Sequence, residues 1–436
     1  MEFHPREGRG RLSRRALLPR AGGLAALPVG AGLLAACADT TEVNAGKGAA
    51  TGGVGAQLPG VELGPGGIPL ARRDFPVSLR KYSKVPEIES GLQPETGPLK
   101  LYNWNEYIDP ALLKAFGAKY GVKVELTTFV TMDEALSKLS AGGLDFDVVV
   151  PTVSRIADLV SLNLLRPLNH DYIPNLAKNV WPELVNPFYD FGSHYTVPYT
   201  VFAVGLAWRN DKVSKDIAAM ANPWDALWEA TDIKGRVALL DDNRDAFGSA
   251  MLRRGVTDLN TADPTIIQKA LEDLQELVRK VDIKIQTSQY QDIPDGKILL
   301  GHDWSGDMIA GALYNLPPGL DPAALSYWKP PQDAQVANDT MAVLAGGKSP
   351  VLAHLFLDFM LETDNAYQNM VDYNGYQPPQ IALDPETLAK KLGLPKSLQP
   401  TIVTGAEFAS GIGSYSLTPE NDSQWQRAWS QLKSGS

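Results

Sequence analysis

Leu99-Lys100-Leu101-Tyr102-Asn103-Trp104 opens the stretch that decides the fold. Apolar and polar residues alternate along it, as on a half-buried strand. Asp109-Pro110 then supplies an N-cap and a first-turn proline for a helix running to about Tyr120. Residues 122–129 read as a second strand, and Thr131 with Glu134 forms a capping box for a helix through Leu139. Residues 145–150 have the apolar run of a buried strand, ended by Pro151, and a further helix covers about 154–163. Strand and helix patterns therefore alternate three times, which predicts a parallel sheet covered by helices.

Downstream the same style returns. Residues 201–208 form an apolar strand, 223–229 a short helix and 236–240 a strand. Asp263-Pro264 caps a long helix to about Val281, residues 298–300 lead into His302-Asp303-Trp304, and Ser349-Pro350 caps an apolar helix to Glu362. One sheet holding every strand would be large, so two α/β lobes are expected.

Upstream lies a leader to be set aside before any fold is argued. Residues 1–15 are basic and end in Ser13-Arg14-Arg15, 16–36 are weakly apolar, and Leu34-Ala35-Ala36-Cys37 follows. This is the layout of a secretory signal peptide over residues 1–36, with paired arginines suggesting the twin-arginine route. Pro19, Arg20, Pro28 and several glycines interrupt the run, which argues against a membrane-spanning helix. Leu34 to Cys37 resembles the lipobox of bacterial lipoproteins, whose cysteine is lipidated and becomes the first residue. Residues 37–96, rich in Gly, Ala, Pro and Thr, read as a lipidated N-terminus and flexible linker.

Cys37 is the only cysteine, so the body has no disulfide and no cysteine metal site. The formal charge is −10, an acidic balance that argues against nucleic acid and suits a cationic ligand. The five histidines show no metal-ligand spacing, and no Gly-x-Ser-x-Gly elbow is present. Neither cofactor nor catalysis is predicted; the rival class is an exported hydrolase with a dyad of distant residues.

In open α/β sheets, ligands bind beyond the carboxyl ends of the strands. Asn103-Trp104-Asn105-Glu106-Tyr107 follows the first strand, and Pro151-Thr152-Val153-Ser154 the third. Asp241-Asp242-Asn243-Arg244-Asp245 and Asp303-Trp304-Ser305-Gly306-Asp307 follow later ones, and Asn338-Asp339 precedes a strand at 341–344. Carboxylates meet ammonium groups by charge-assisted hydrogen bonds, and aromatic faces attract the same cations. Each residue also has a plainer reading. Trp104 and Tyr107 suit a core, Asp241 or Asp242 a helix N-cap, Asp303 an arginine partner or turn cap, and Glu106 a solvated charge. Asp307 and Asp339 resist such readings, because each lies by a sheet end among small or apolar residues.

Leu101-Tyr102-Asn103-Trp104-Asn105-Glu106-Tyr107 strongly resembles the opening motif of bacterial spermidine/putrescine-binding proteins, the solute receptors of ATP-driven polyamine importers. The likeness continues through residues 145–151, Val197-Pro198-Tyr199, 224–228, 239–245, 304–307 and Asn374-Gly375-Tyr376, across most of 98–416. It implies a two-lobed α/β fold of the type II periplasmic-binding-protein kind, each lobe a mixed, mostly parallel sheet flanked by helices. Lobe 1 would comprise 97–207 plus 338–384, and lobe 2 208–337 plus 385–436, joined by strands crossing near 203–209 and 335–341. Such lobes close on ligand like a hinged trap.

The resemblance also implies ligand contacts at Trp104, Tyr107, Asp242, Trp304, Asp307, Asp339 and Tyr376. Thr152 stands where a serine is usual, and Asp245 where a glutamate is common. Three positions depart from the family: Ser154 replaces a tyrosine of the spermidine branch, Ala337 an aromatic, and Ala409 a glutamine. The expected protein is a monomeric lipoprotein, anchored by Cys37 outside the cell membrane. It would capture a polyamine of the putrescine or spermidine class and deliver it to an ABC permease. A receptor for another organic cation or small solute is the rival within the same fold.

Overall fold

The computed structural model describes residues 61–435. Its strands are β1 (Leu99–Trp104), β2 (Val124–Phe129), β3 (Val148–Val149), β4 (Thr196–Arg209), β5 (Val237–Leu240), β6 (Lys284–Gln286), β7 (Leu300–Trp304), β8 (Leu325–Trp328) and β9 (Gln335–Val343). Local chemistry sets many element ends. Asp109 accepts a hydrogen bond from Ala111 N at 2.8 Å, and Gly121 closes the helix Pro110–Tyr120 at φ 69°. Asp263 caps the helix Pro264–Val281 in the same way. At Thr131 the expected capping box is half formed. The hydroxyl accepts from Glu134 N at 3.2 Å, but the Glu134 carboxylate accepts from Val130 N, one residue early.

Other elements differ from expectation for physical reasons. The strand expected at 145–150 shrinks to Val148–Val149. Asp147 spends its carboxylate on Lys100 N and Ser349 N, at 2.8 and 2.7 Å, and so ties three segments together. Ser349 does not cap its helix through its side chain; Glu95 does so by accepting from Val351 N and Leu352 N.

The strands run β2-β1-β3-β9-β4-β7-β5-β6, with β8 also on β4. β1 pairs parallel with β2 and β3, and β5 parallel with β6 and β7; pairs made by β4 and β9 are antiparallel. One order is used twice. On one side β2-β1-β3-β9-β4 gathers the early strands, and on the other β6-β5-β7-β4-β8 repeats the pattern. β4 is long enough to serve both halves: Thr196 to Val204 lie against β9, and Val204 to Arg209 lie against β7 and β8. Each half buries apolar residues on both faces, Phe116 and Phe356 among those of the first, Trp228 and Trp425 of the second. The single sheet is thus two sheets sharing their crossing strand.

Residues 61–96 correct the expectation of a flexible linker over 37–96. Pro65–Gly67 and Leu79–Tyr82 form 3-10 turns, and Gly66 and Gly67 take the positive φ that the first turn needs. Ile68, Val77 and Leu79 are buried with Leu159 and Val160, and Val77 exchanges backbone hydrogen bonds with Phe188 and Phe191. Apolar residues spaced along a glycine-rich stretch anchor it where composition alone suggested freedom. Cys37 and the stretches expected to be a lipobox and a signal peptide lie outside the described residues. Among the described residues, no helix is long and apolar enough to cross a membrane.

Candidate functional site

The site begins with the register of the crossing strands. Thr200 lies opposite Asp339, Phe202 opposite Ala337, and Val204 opposite both Gln335 and Trp304. Opposed residues share a face, and side chains alternate along a strand. One face therefore gathers Thr200, Phe202, Gln335, Ala337 and Asp339. A register shift between Pro198 and Thr200 sets this phase. Proline cannot donate to the ladder, and an extra residue there re-aims the side chains after it.

Hydrogen bonds and rings link this face into one network. The Tyr107 hydroxyl donates to Asp339 Oδ2 at 2.7 Å and lies 2.6 Å from the Thr200 hydroxyl. Its ring stands edge-on to Tyr376 at 5.0 Å, and the Tyr376 hydroxyl donates to Asp307 Oδ1 at 2.8 Å. Phe202 meets Tyr376 at 5.6 Å and Trp304 at 6.4 Å. The Trp304 indole N–H donates to Asp245 Oδ2 at 2.7 Å, and Gln335 donates to the other oxygen at 2.6 Å.

The side chains donating to these three carboxyls include two phenols, an indole and an amide, all neutral. Their protonation reflects it. Burial pushes Asp339 up to about 7, opposed by the Tyr107 hydrogen bond. Burial raises Asp307 to about 7 against the hydrogen bonds from Tyr376 and Asp303, and raises Asp245 to about 8, where the Asp242 charge adds to it. Buried acids without a cation take up protons unless a positive charge enters beside them.

A cavity of about 230 Å³ is lined by Trp104, Thr152, Ser154, Asp242, Arg244 and Trp304, among others. Trp304 belongs to both cavity and network. The positions singled out from the sequence thus divide. Trp104, Thr152, Asp242 and Trp304 line the cavity, while Tyr107, Asp307, Asp339 and Tyr376 form the buried network, which the partly buried Asp245 extends. Trp104 combines wall and core, packing on Phe129 at 4.7 Å and donating to Val150 O at 3.1 Å.

The geometry decides several plainer readings. Asp242 is the N-cap of the helix Asn243–Arg253, accepting from Arg244 N and Asp245 N at 2.9 and 3.0 Å, and it also faces the cavity. Asp241 pairs with Lys433 at 2.7 Å. Asp303 has no arginine partner among the described residues; its Oδ1 accepts from Trp304 N at 3.0 Å. Glu106 is exposed and accepts from the Tyr290 hydroxyl. Ala409 is exposed on the helix Gly405–Ser410. Sequence reasoning passes over Thr200, Phe202 and Gln335. The first two sit in or beside an apolar run that reads as core, and only strand pairing shows which face they join.

Two α/β halves sharing long crossing strands, with buried acids and rings where those strands cross, define a ligand-enclosing binding protein of the type II periplasmic class. The chain belongs to the bacterial extracellular solute-binding protein family, which it matches over residues 111–391. It is 28% identical over 298 residues to the putrescine/cadaverine-binding protein of Pseudomonas aeruginosa, covering 66% of this chain and 82% of that one. The spermidine/putrescine-binding periplasmic protein of Escherichia coli is 25% identical over 78% of this chain and 93% of its own length. A solved spermidine/putrescine ABC transporter protein from Listeria monocytogenes has a TM-score of 0.65 at 25% identity, covering 77% of this chain and 98% of that one.

Proposed function

We propose that this protein captures a polyamine of the putrescine or spermidine class between its two halves and delivers it to an ABC permease. One observation carries the proposal: Asp339 and Asp307 are buried and Asp245 partly buried, none has an ion-pair partner among the described residues, and Tyr107, Tyr376, Phe202 and Trp304 lie between them. A polyamine has the complementary pattern, ammonium groups separated by methylenes. Burying an ammonium is favourable only with a paired anion, so the carboxyls select ligand charge. Trp104, Trp304 and Tyr376 pack on the alkyl chain, and Tyr107, Thr152 and Asp242 complete the contacts.

The partner switch of β4 at Val204 favours a lobe border there, slightly before the border at 207 that the family pattern suggests. Relatives named as periplasmic binding proteins support an extracytoplasmic home. Lipid on Cys37 holds this monomer beside its permease, and no covalent chemistry is done on the solute. Isothermal titration with putrescine, cadaverine, spermidine and spermine tests the proposal. Binding heat is expected for at least one amine, and none for any of the four overturns it. Arg244 on the cavity wall favours one second reading, an amine that also carries an anionic group. An amino acid displacing the diamine in the same titration would reveal it.

A further inference from the structure

Asp303 is an acid for which the ligand scheme has no use. It lies on β7, and Asp307 lies in the first turn of the helix Ser305–Leu313, so the strand-to-helix turn sets the two carboxyls beside each other. Asp303 is 0% exposed and Asp307 5%. One oxygen of each is satisfied: Asp303 Oδ1 by Trp304 N, Asp307 Oδ1 by the Tyr376 hydroxyl. The remaining oxygens, Asp303 Oδ2 and Asp307 Oδ2, are buried and lack a well-formed hydrogen bond among the described residues; the Tyr290 backbone N–H is the neutral donor aimed at Asp307.

The groups around the pair offer no compensating charge. From β8, Tyr327 donates to the backbone carbonyl of Asp303 at 3.2 Å, not to its carboxyl. The Asp245 carboxyl approaches the same phenol from the helix Asn243–Arg253, and the Tyr314 and Tyr376 phenols and the Tyr290 backbone face Asp307. His302, next on the strand, is buried beside Trp224 and held neutral, its pKa lowered to about 3. Two adjacent buried carboxyls cannot both ionise without a cation. One proton between them turns two orphan acceptors into a single charge-assisted hydrogen bond.

We infer that Asp303 is a standing carboxylic acid that donates to Asp307, which makes Asp307 the single anion presented beside Tyr376. Asp303 is then a positioning residue: it holds and orients the Asp307 charge without touching the solute. Burial first, and then the Asp307 charge, keep Asp303 well above the usual carboxylate range. The consequence for the ligand rests on the polyamine reading: this end of the site neutralises one ammonium, not two.

Carboxyl carbon NMR of the ligand-free full chain, titrated from about pH 5 to 9, tests the assignment without any solute. Asp307 should titrate near neutrality while Asp303 stays protonated; an Asp303 resonance already ionised at neutral pH overturns the inference. Putrescine titrations of two variants supply the second arm. Asp303→Asn keeps a donor and should bind within about 3-fold of the parent, whereas Asp303→Leu should lose roughly 10-fold or more. The acid midpoint of binding should move up in the leucine variant and stay in place in the asparagine variant. Equal losses in both would mean that the charge itself is needed, and would overturn the donor role. If Asp303→Leu does not fold, the NMR titration and Asp303→Asn still decide. A parent that binds no polyamine sinks the proposed function and leaves the ligand-free measurement intact.

Discussion

Asp339 is held by a single phenol and by burial, so its charge is the part of the site that a ligand must complete. Asp339→Asn keeps the shape and removes the charge. It should weaken amine binding by about 2–5 kcal/mol, the loss typical when one partner of a buried charge pair is removed. Calorimetric affinity equal to that of the parent would exclude Asp339 from the ammonium site. Phe202 makes a second case. Ala337 offers no ring to the site, and the residue directly across the ladder is Phe202, in contact with Tyr376 and Trp304. Phe202→Ala should therefore weaken binding by roughly 0.5–1.5 kcal/mol, the scale of an aromatic contact; unchanged affinity would leave Phe202 as core alone. These residues also mark the limit of sequence reading. Trp304 and Asp307 are legible because a motif follows a strand end. Phe202, Thr200 and Gln335 are not, because their common face is set by the pairing of strands far apart in the chain.

At the scale of elements, alternation and capping are the legible parts. Asp109-Pro110 and Asp263-Pro264 start their helices as their chemistry demands, since an N-cap acceptor and a proline act within one turn. β4 is longer than the strand expected over 201–208, because Thr196 to Thr200 also pair with β9, across a proline and a register shift that the sequence pattern does not show. The segment over 61–96 defeats a compositional reading for a related reason: glycine content speaks of freedom, whereas its order comes from distant partners. Arg73 is an example, donating to Phe408 O at 2.7 Å between the Phe188 and Phe408 rings. Ile68 is 1% exposed, so Ile68→Ala should destabilise the protein by about 2–5 kcal/mol, as for other buried large-to-small changes. Urea unfolding measures this; a linker without fixed packing would show no change.

For the whole molecule, the buried acids tie stability, ligand and pH together. Asp339 rises from 3.8 to about 7, and Asp307 and Asp245 rise similarly. A group whose folded pKa is raised stabilises the fold fully below its unfolded pKa and loses that contribution as pH climbs through the folded value. The empty protein should thus lose stability between about pH 4 and 8, and ionising Asp339 alone costs roughly 4 kcal/mol at 1.36 kcal/mol per pKa unit. His302 and His354 act oppositely. Burial lowers them to about 3 and 4, so their stabilising contribution fades as pH falls below the unfolded histidine value. Absolute melting temperatures mix the two trends. The increment caused by ligand separates them, because an ammonium relieves the acids and leaves both histidines alone. The putrescine-induced rise in Tm should be larger at pH 8 than at pH 5, with protons released on binding near neutrality. An increment independent of pH would mean that the ligand pairs with none of these carboxyls.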